Sequence, residues 1–212
     1  MPYVLILIGC IGLLFSSISL NINEIQQLDL SSVEWMSLHR SGMMNGLAIT
    51  LSYLGGLPPM IVVVIIGSLY FLRLKQYANI FMLTIGLLGA TTIGWIVKYA
   101  INRPRPDDVY QMVQTYGASF PSAHSIYAAL LSCSIVFIFR KHRRAKLICL
   151  VCGFWFLSMG ISRVYLGAHF PTDVLAGWSI GFIWAAIIWL MLSSNTLSKN
   201  KLFLNKNLNE VE

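Results

Sequence analysis

The chain has 212 residues, 57% of them hydrophobic and 11% charged, and its mean hydropathy is +0.71. Soluble domains are about one-quarter charged, so this composition excludes an ordinary water-soluble fold and points to a single all-α, polytopic membrane domain. The formal net charge of +7 does not indicate a nucleic-acid partner, because the basic residues follow membrane topology rather than forming one patch.

The first apolar run covers about 3–20. It lacks a basic leader and a small-residue cleavage site, so it is read as a retained span rather than a removed signal peptide. Residues 21–41 are polar and mixed. Ile25, Leu28, Val33, Trp35 and Met36 form a broken helical stripe, which suits a helix lying along the membrane surface or a plain loop. The chain turns apolar again at Met43, is punctuated by Gly55-Gly56 and Pro58-Pro59, and enters a second span over about 58–72. A third span covers about 78–97 and ends at Lys98. Residues 101–120 form a long polar connection, of a length more often functional than idle in a compact bundle. The fourth, fifth and sixth spans cover about 121–139, 147–161 and 171–192. Residues 193–212 read as a loose polar tail. Cys10, Cys133, Cys149 and Cys152 all lie in apolar runs, where small buried hydrophobes are the expected role. Gly177, Gly181 and Ala185 form a small-residue row for close helix packing.

Six spans put both termini on one side. That side receives Arg73, Lys75, Arg140, Lys141, Arg143, Arg144, Lys146, Lys199, Lys201 and Lys206, ten of the fifteen basic residues. The positive-inside rule therefore places the termini and the tail in the cytoplasm. The other side keeps Arg40, Lys98, Arg103, Arg105 and Arg163, and charge held at membrane ends on the unfavoured side suggests function.

Three sequence-distant blocks fall at the outer ends of predicted spans. They are Lys98-x6-Arg105-Pro106, Pro121-Ser122-Ala123-His124, and Ser162-Arg163-x5-His169-x3-Asp173. Lys98, Arg105 and Arg163 bring three positive charges to one level, and an anion is their natural companion. Phosphate suits the arginine fork and the lysine point charge. Pro121 suits the first turn of the fourth helix, with the Ser122 and Ala123 amides and the Ser122 hydroxyl directed at the anion. Two histidines divide the chemistry: one attacks phosphorus while the other protonates the leaving oxygen. Asp173, four residues after His169, is placed to orient that imidazole. His39 and His142 have no such partners and are read as surface residues.

These blocks resemble the signature of the type 2 phosphatidic acid phosphatases, the superfamily of membrane lipid phosphatases, acid phosphatases and vanadium haloperoxidases. The one departure is Ala123 where the family usually has glycine. The resemblance covers about 61–192. It implies that His169 is the nucleophile of a phosphohistidine intermediate, that Asp173 holds its tautomer, and that His124 is the general acid and then the base. It further implies that Lys98, Arg105, Ser122, Ala123 and Arg163 bind the phosphoryl oxygens, with no metal and no cofactor. The expected substrate is an amphiphilic lipid phosphate or diphosphate, such as undecaprenyl diphosphate, phosphatidylglycerol phosphate or phosphatidic acid. The expected location is the bacterial inner membrane with the site facing outward. The alternatives are a lipid phosphotransferase on the same scaffold and a non-enzymatic protein that binds or transports anionic lipid.

Overall fold

The structure is a computed structural model that describes the backbone of residues 1–209 and side chains through residue 194. Eight α-helices form its regular structure among the described residues, with no strand. They are α1 (Pro2–Ser19), α2 (Asn23–Leu38), α3 (Gly42–Leu54), α4 (Leu57–Arg73), α5 (Tyr77–Ile101), α6 (Ala123–Ile138), α7 (Ala145–Tyr165) and α8 (Pro171–Asn209). One 3₁₀ turn, Asp108–Tyr110, interrupts the connection between α5 and α6. The polar stretch expected as a loose tail from 193 continues as helix to Asn209, and residues 210–212 lie outside the described residues.

Four helices are long and apolar enough to cross a membrane: α1, α5, α7 and α8 over Pro171–Ser194. The pair α3–α4, bent by 56°, raises the number to five. The expected count of six exceeds what length and composition alone provide. The difference is α6, which is apolar but has only 16 residues. At 1.5 Å per residue it is about 24 Å long, short of a hydrocarbon core of ~30 Å. The many exposed large hydrophobics on α1, α3, α4 and α5 fit an integral membrane protein, whose outward faces meet lipid rather than water.

Local sequence sets the breaks. Gly55 and Gly56 separate α3 from α4, and Pro58 and Pro59 stand in the first turn of α4, where a missing N–H costs least. Asn102 stops α5 in the left-handed conformation, with φ 47°. Pro171 opens α8. The segment 21–41 is a helix, α2. Its inward face is Asp29 and Val33, both buried, and Met36, which is an i, i+4, i+7 stripe.

The core centres on α6. Ile126, Leu130 and Phe137 pack there with Met82 and Leu87 of α5 and Ile180 and Ile188 of α8. The small-residue row of α8 meets α6 directly. A Cβ on Gly177 would lie 2.6 Å from the Ser122 carbonyl oxygen, and one on Gly181 would lie 2.7 Å from the Ala129 Cβ. Chain direction then alternates, so the C-terminal ends of α5 and α7 and the N-terminal ends of α6 and α8 share one end of the bundle. Lys98, His124, Arg163 and Asp173 stand at those four ends.

Candidate active site

The connection from Asn102 to Ser122 is an ordered cover over this end. Ser119 N–H donates to the Arg103 carbonyl at 2.8 Å, and Met112 N–H donates to the Leu166 carbonyl at 3.0 Å. The α7–α8 turn is equally tight. The amides of Ala168 and His169 donate back to the Arg163 carbonyl at 3.0 and 3.3 Å. Gly167 takes φ +67° there, and a Cβ on it would lie 2.0 Å from the Tyr110 carbonyl oxygen. Only glycine fits so close a backbone crossing.

His169 is 2% exposed. Its Nδ1 faces Asp173 Oδ2 at 3.5 Å and Ser119 Oγ at 3.5 Å, while its Nε2 lies 3.3 Å from Arg105 Nη1. A guanidinium only donates, so Nε2 is the accepting nitrogen and the ring proton belongs on Nδ1, toward the carboxylate. Burial pushes the His169 pKa down from its ordinary 6.5 to about 3, with the Asp173 carboxylate opposing and Arg105 and Arg163 assisting. The ring is therefore neutral, with a free lone pair, at neutral pH. Asp173 is fully buried. Its Oδ2 accepts from Ser119 Oγ at 2.5 Å and from the Phe170 amide at 2.9 Å, and its Oδ1 accepts from Arg103 Nη1 at 2.7 Å.

The cations divide into two kinds. Arg103 is neutralised between two carboxylates, Asp29 and Asp173, each at 2.7 Å. Lys98, Arg105 and Arg163 have no ion pair among the described residues and rest instead on neutral oxygens. Lys98 Nζ donates to the Ala118 carbonyl at 2.6 Å. Arg105 donates to the carbonyls of Tyr116, Gly117, Ala118 and Ala168 at 2.7–3.2 Å. Burial lowers its pKa from the ordinary arginine value. Arg163 is 3% exposed, donates from Nη1 to the Ser52 hydroxyl, and keeps a buried Nε with no hydrogen-bond partner. Three cations held by dipoles leave a positive field that an anion satisfies.

Lys98, Arg105, Ala123, His124, Arg163 and His169 all line one cavity of about 390 Å³, whose remaining walls include Leu57, Trp95, Tyr99 and Tyr127. His124 Nε2 lies 3.1 Å from the Ser52 carbonyl oxygen, which only accepts, so this nitrogen carries a proton. Ser122 stands apart from the expected arrangement. It is fully buried outside the cavity lining, and its amide donates to the Asp173 carbonyl at 3.0 Å. Its hydroxyl accepts from Ser125 Oγ at 3.0 Å. The helix begins at Ala123 with Ser122 as its cap, two residues later than Pro121 predicts. Ala123, in the first helical turn, lines the cavity and carries one of the amides that a helix start leaves without an intrahelical partner.

Four residues outside the predicted site shape it. Ser119 and Arg103 fix Asp173. Ser52, beside the α3–α4 break, holds both Arg163 and His124. Asp29 holds Arg103. Two of them carried a sequence signal: Arg103, a charge kept at a membrane end on the unfavoured side, and Asp29, an acid on the apolar stripe of α2. Among the described residues no group of three His, Cys, Asp or Glu is arranged to hold a metal ion.

An all-helical membrane protein with two imidazoles and three unneutralised cations around one half-apolar cavity defines the class. Comparison with known proteins defines the group within it. The PAP2 superfamily profile matches residues 77–197, and the chain belongs to the PAP2 superfamily. It is, with that membership, a membrane-bound hydrolase of phosphoric esters. Phosphatidylglycerophosphatase B of Bacillus subtilis (strain 168) is 33% identical over 174 residues, covering 78% of this chain and 83% of the relative. Lipid A 1-phosphatase of Rhizobium etli is 32% identical over 99 residues, covering 41% of this chain and 38% of that one. The crystal structure of a transmembrane PAP2-type phosphatidylglycerolphosphate phosphatase from Bacillus subtilis superposes with a TM-score of 0.78 at 27% identity. That likeness covers 93% of this chain and 96% of the other.

Proposed function

We propose that the protein releases phosphate from a membrane lipid phosphate or diphosphate through a phosphohistidine on His169. The observation that carries this reading is the set of unneutralised cations Lys98, Arg105 and Arg163, which share one cavity with both imidazoles. The lone pair of His169 Nε2 attacks phosphorus, and Asp173 stabilises the ring as it becomes positive. Lys98, Arg105, Arg163 and the Ala123 amide draw off the charge developing on the phosphoryl oxygens. Ser122 contributes by joining the start of α6 to that of α8. His124 protonates the leaving oxygen and then takes a proton from the water that cleaves the phosphohistidine. No metal takes part.

The wall of Leu57, Trp95 and Tyr99 favours a substrate that keeps its tail in the bilayer. The name of the Bacillus subtilis relative makes phosphatidylglycerol phosphate the first candidate, with undecaprenyl diphosphate and phosphatidic acid next. On this reading all six apolar segments cross the bacterial inner membrane, α6 as the short one. Residues 1–192 form one domain, 193–212 extend into the cytoplasm, and the site faces outward. The test is a panel of these lipids in detergent, scored for free phosphate. Wild type is expected to turn over in EDTA and to be blocked by vanadate, and His169→Ala to lose essentially all release. Strict dependence on added magnesium, or an active His169→Ala, refutes the reading, whereas label moving to a second lipid identifies transfer instead of hydrolysis.

A further inference from the structure

We infer that Asp29 is a positioning residue for the nucleophile, acting through Arg103; this rests on the reading of His169 given above. Asp29 belongs to none of the three blocks and comes from α2, yet it is 3% exposed. Its Oδ2 accepts from Arg103 Nη2 at 2.7 Å and from the Thr172 hydroxyl, and its Oδ1 accepts from the Thr172 amide at 3.1 Å. The other arm of the same guanidinium, Nη1, reaches Thr172 Oγ1 at 2.8 Å and Asp173 Oδ1 at 2.7 Å. The plane of Arg103 is also held over the Phe170 ring, 4.3 Å from its centroid.

Two consequences follow. The first is directional. Asp173 presents Oδ2 to His169 because its Oδ1 is anchored, and the anchor is steady only while Arg103 is gripped on its far side. The second is electrostatic. Arg103 between Asp29 and Asp173 forms a buried trio with one net negative charge, which faces the imidazole. Attack on phosphorus turns that imidazole positive. Without Asp29 the trio is neutral, and Arg103 draws Asp173 away from the ring at the moment its charge is needed. Asp29 touches neither substrate nor His169, so its effect belongs in turnover and not in binding.

The experiment compares Asp29→Asn, Asp29→Glu, Arg103→Ala and the double variant Asp29→Asn/Arg103→Ala. A control, Glu34→Gln, neutralises the other carboxylate contact of α2, the 2.8 Å bond from Tyr110, without touching Arg103. The probe is phosphatidylglycerol phosphate in detergent, with melting temperature recorded alongside. Asp29→Asn is expected to lower kcat about 10- to 100-fold, the range known for the hydrogen-bond partners that orient metal-ligating histidines, with KM changed by less than about threefold. Asp29→Glu should recover part of the loss. Adding Asp29→Asn to Arg103→Ala should cost nothing further, because both act along one path. Glu34→Gln should keep wild-type kcat. Should Asp29→Asn not fold, Arg103→Lys decides: it keeps the charge but cannot fork between two carboxylates, and the same kcat loss is expected. An unchanged kcat in Asp29→Asn or Arg103→Lys overturns the inference. So do a loss confined to KM, losses that multiply in the double variant, or an equal loss in Glu34→Gln. An active wild type with unaffected Asp29 variants sinks this inference alone. An inactive wild type sinks the parent reading and this one with it.

Discussion

Replacing Gly167 with alanine tests whether the loop and the catalytic turn work as one piece. The added Cβ would lie 2.0 Å from the Tyr110 carbonyl oxygen, 2.5 Å from its carbonyl carbon and 3.1 Å from the Gln111 nitrogen. Carbon and oxygen in close contact stand about 3.3 Å apart, so one backbone must withdraw by more than about 1 Å. The left-handed φ of +67° adds ~1–2 kcal/mol for a residue with a side chain, and the overpacking adds ~1–3 kcal/mol. A combined loss of ~2–5 kcal/mol in a chain of this size corresponds to a fall of at least about 4 °C in Tm. The displaced turn also carries Ala168, whose carbonyl accepts from Arg105 at 2.7 Å, and His169 itself. A shift of ~1 Å in a reacting group costs on the order of 100-fold in rate. The assay is thermal unfolding in detergent together with kcat for phosphate release. Gly153→Ala on α7, where a Cβ meets nothing within 4 Å, is the control: it should keep kcat and should hold or slightly raise Tm, as alanine for glycine inside a helix does. A Gly167→Ala protein with wild-type Tm and kcat refutes the account of the crossing.

Two further outcomes are expected. Because the folded His169 titrates at about 3 and the unfolded one near 6.5, the unfolded chain binds the extra proton between those values. The stability tied to a neutral His169 is thus complete above pH 6.5 and is lost as pH falls toward 3, by up to about 1.4 kcal/mol per pH unit. Tm measured from pH 7 to 4.5 should fall more steeply in wild type than in His169→Gln, and parallel curves contradict the assignment. Ser119→Ala removes the 2.5 Å bond to Asp173, worth ~1–3 kcal/mol for a charged acceptor. It should lower kcat roughly 5- to 100-fold at nearly constant KM, read by initial rates over a substrate series.

Apolar runs and their charged ends were legible because membrane helices announce themselves by composition. The meeting of Lys98, Arg105, His124, Arg163 and His169 at one cavity was legible for a related reason. Each block sat at a span end, and alternating direction brings such ends together. The segment 21–41 was not resolved between helix and loop, because its stripe is interrupted by an acid. Asp29 makes sense only once Arg103, 74 positions away, is known to face it. Ser52 and Ser119 were invisible, since a lone serine near a turn has no pattern. Ser122 fitted the motif, yet its amide is committed to Asp173, a long-range partner that spacing does not reveal. The expected six spans exceed the four or five that helix length and composition support, because the apolar run 121–139 reaches past both ends of the 16-residue α6.

That short helix also sets how deep the chemistry lies. Its neighbour α5 has 25 residues and reaches about 37 Å at the usual rise, while α6 begins at Ala123, and its His124 lines the same cavity as Lys98, about one turn inside the end of α5. Helix α6 is packed among its longer neighbours, so the cavity at its start is walled by residues of α4, α5 and α7. Under the function proposed above, a phosphorylated head entering that recess would find the imidazoles while its chains stay against Leu57, Trp95 and Tyr99, so lateral drift in the leaflet would deliver it.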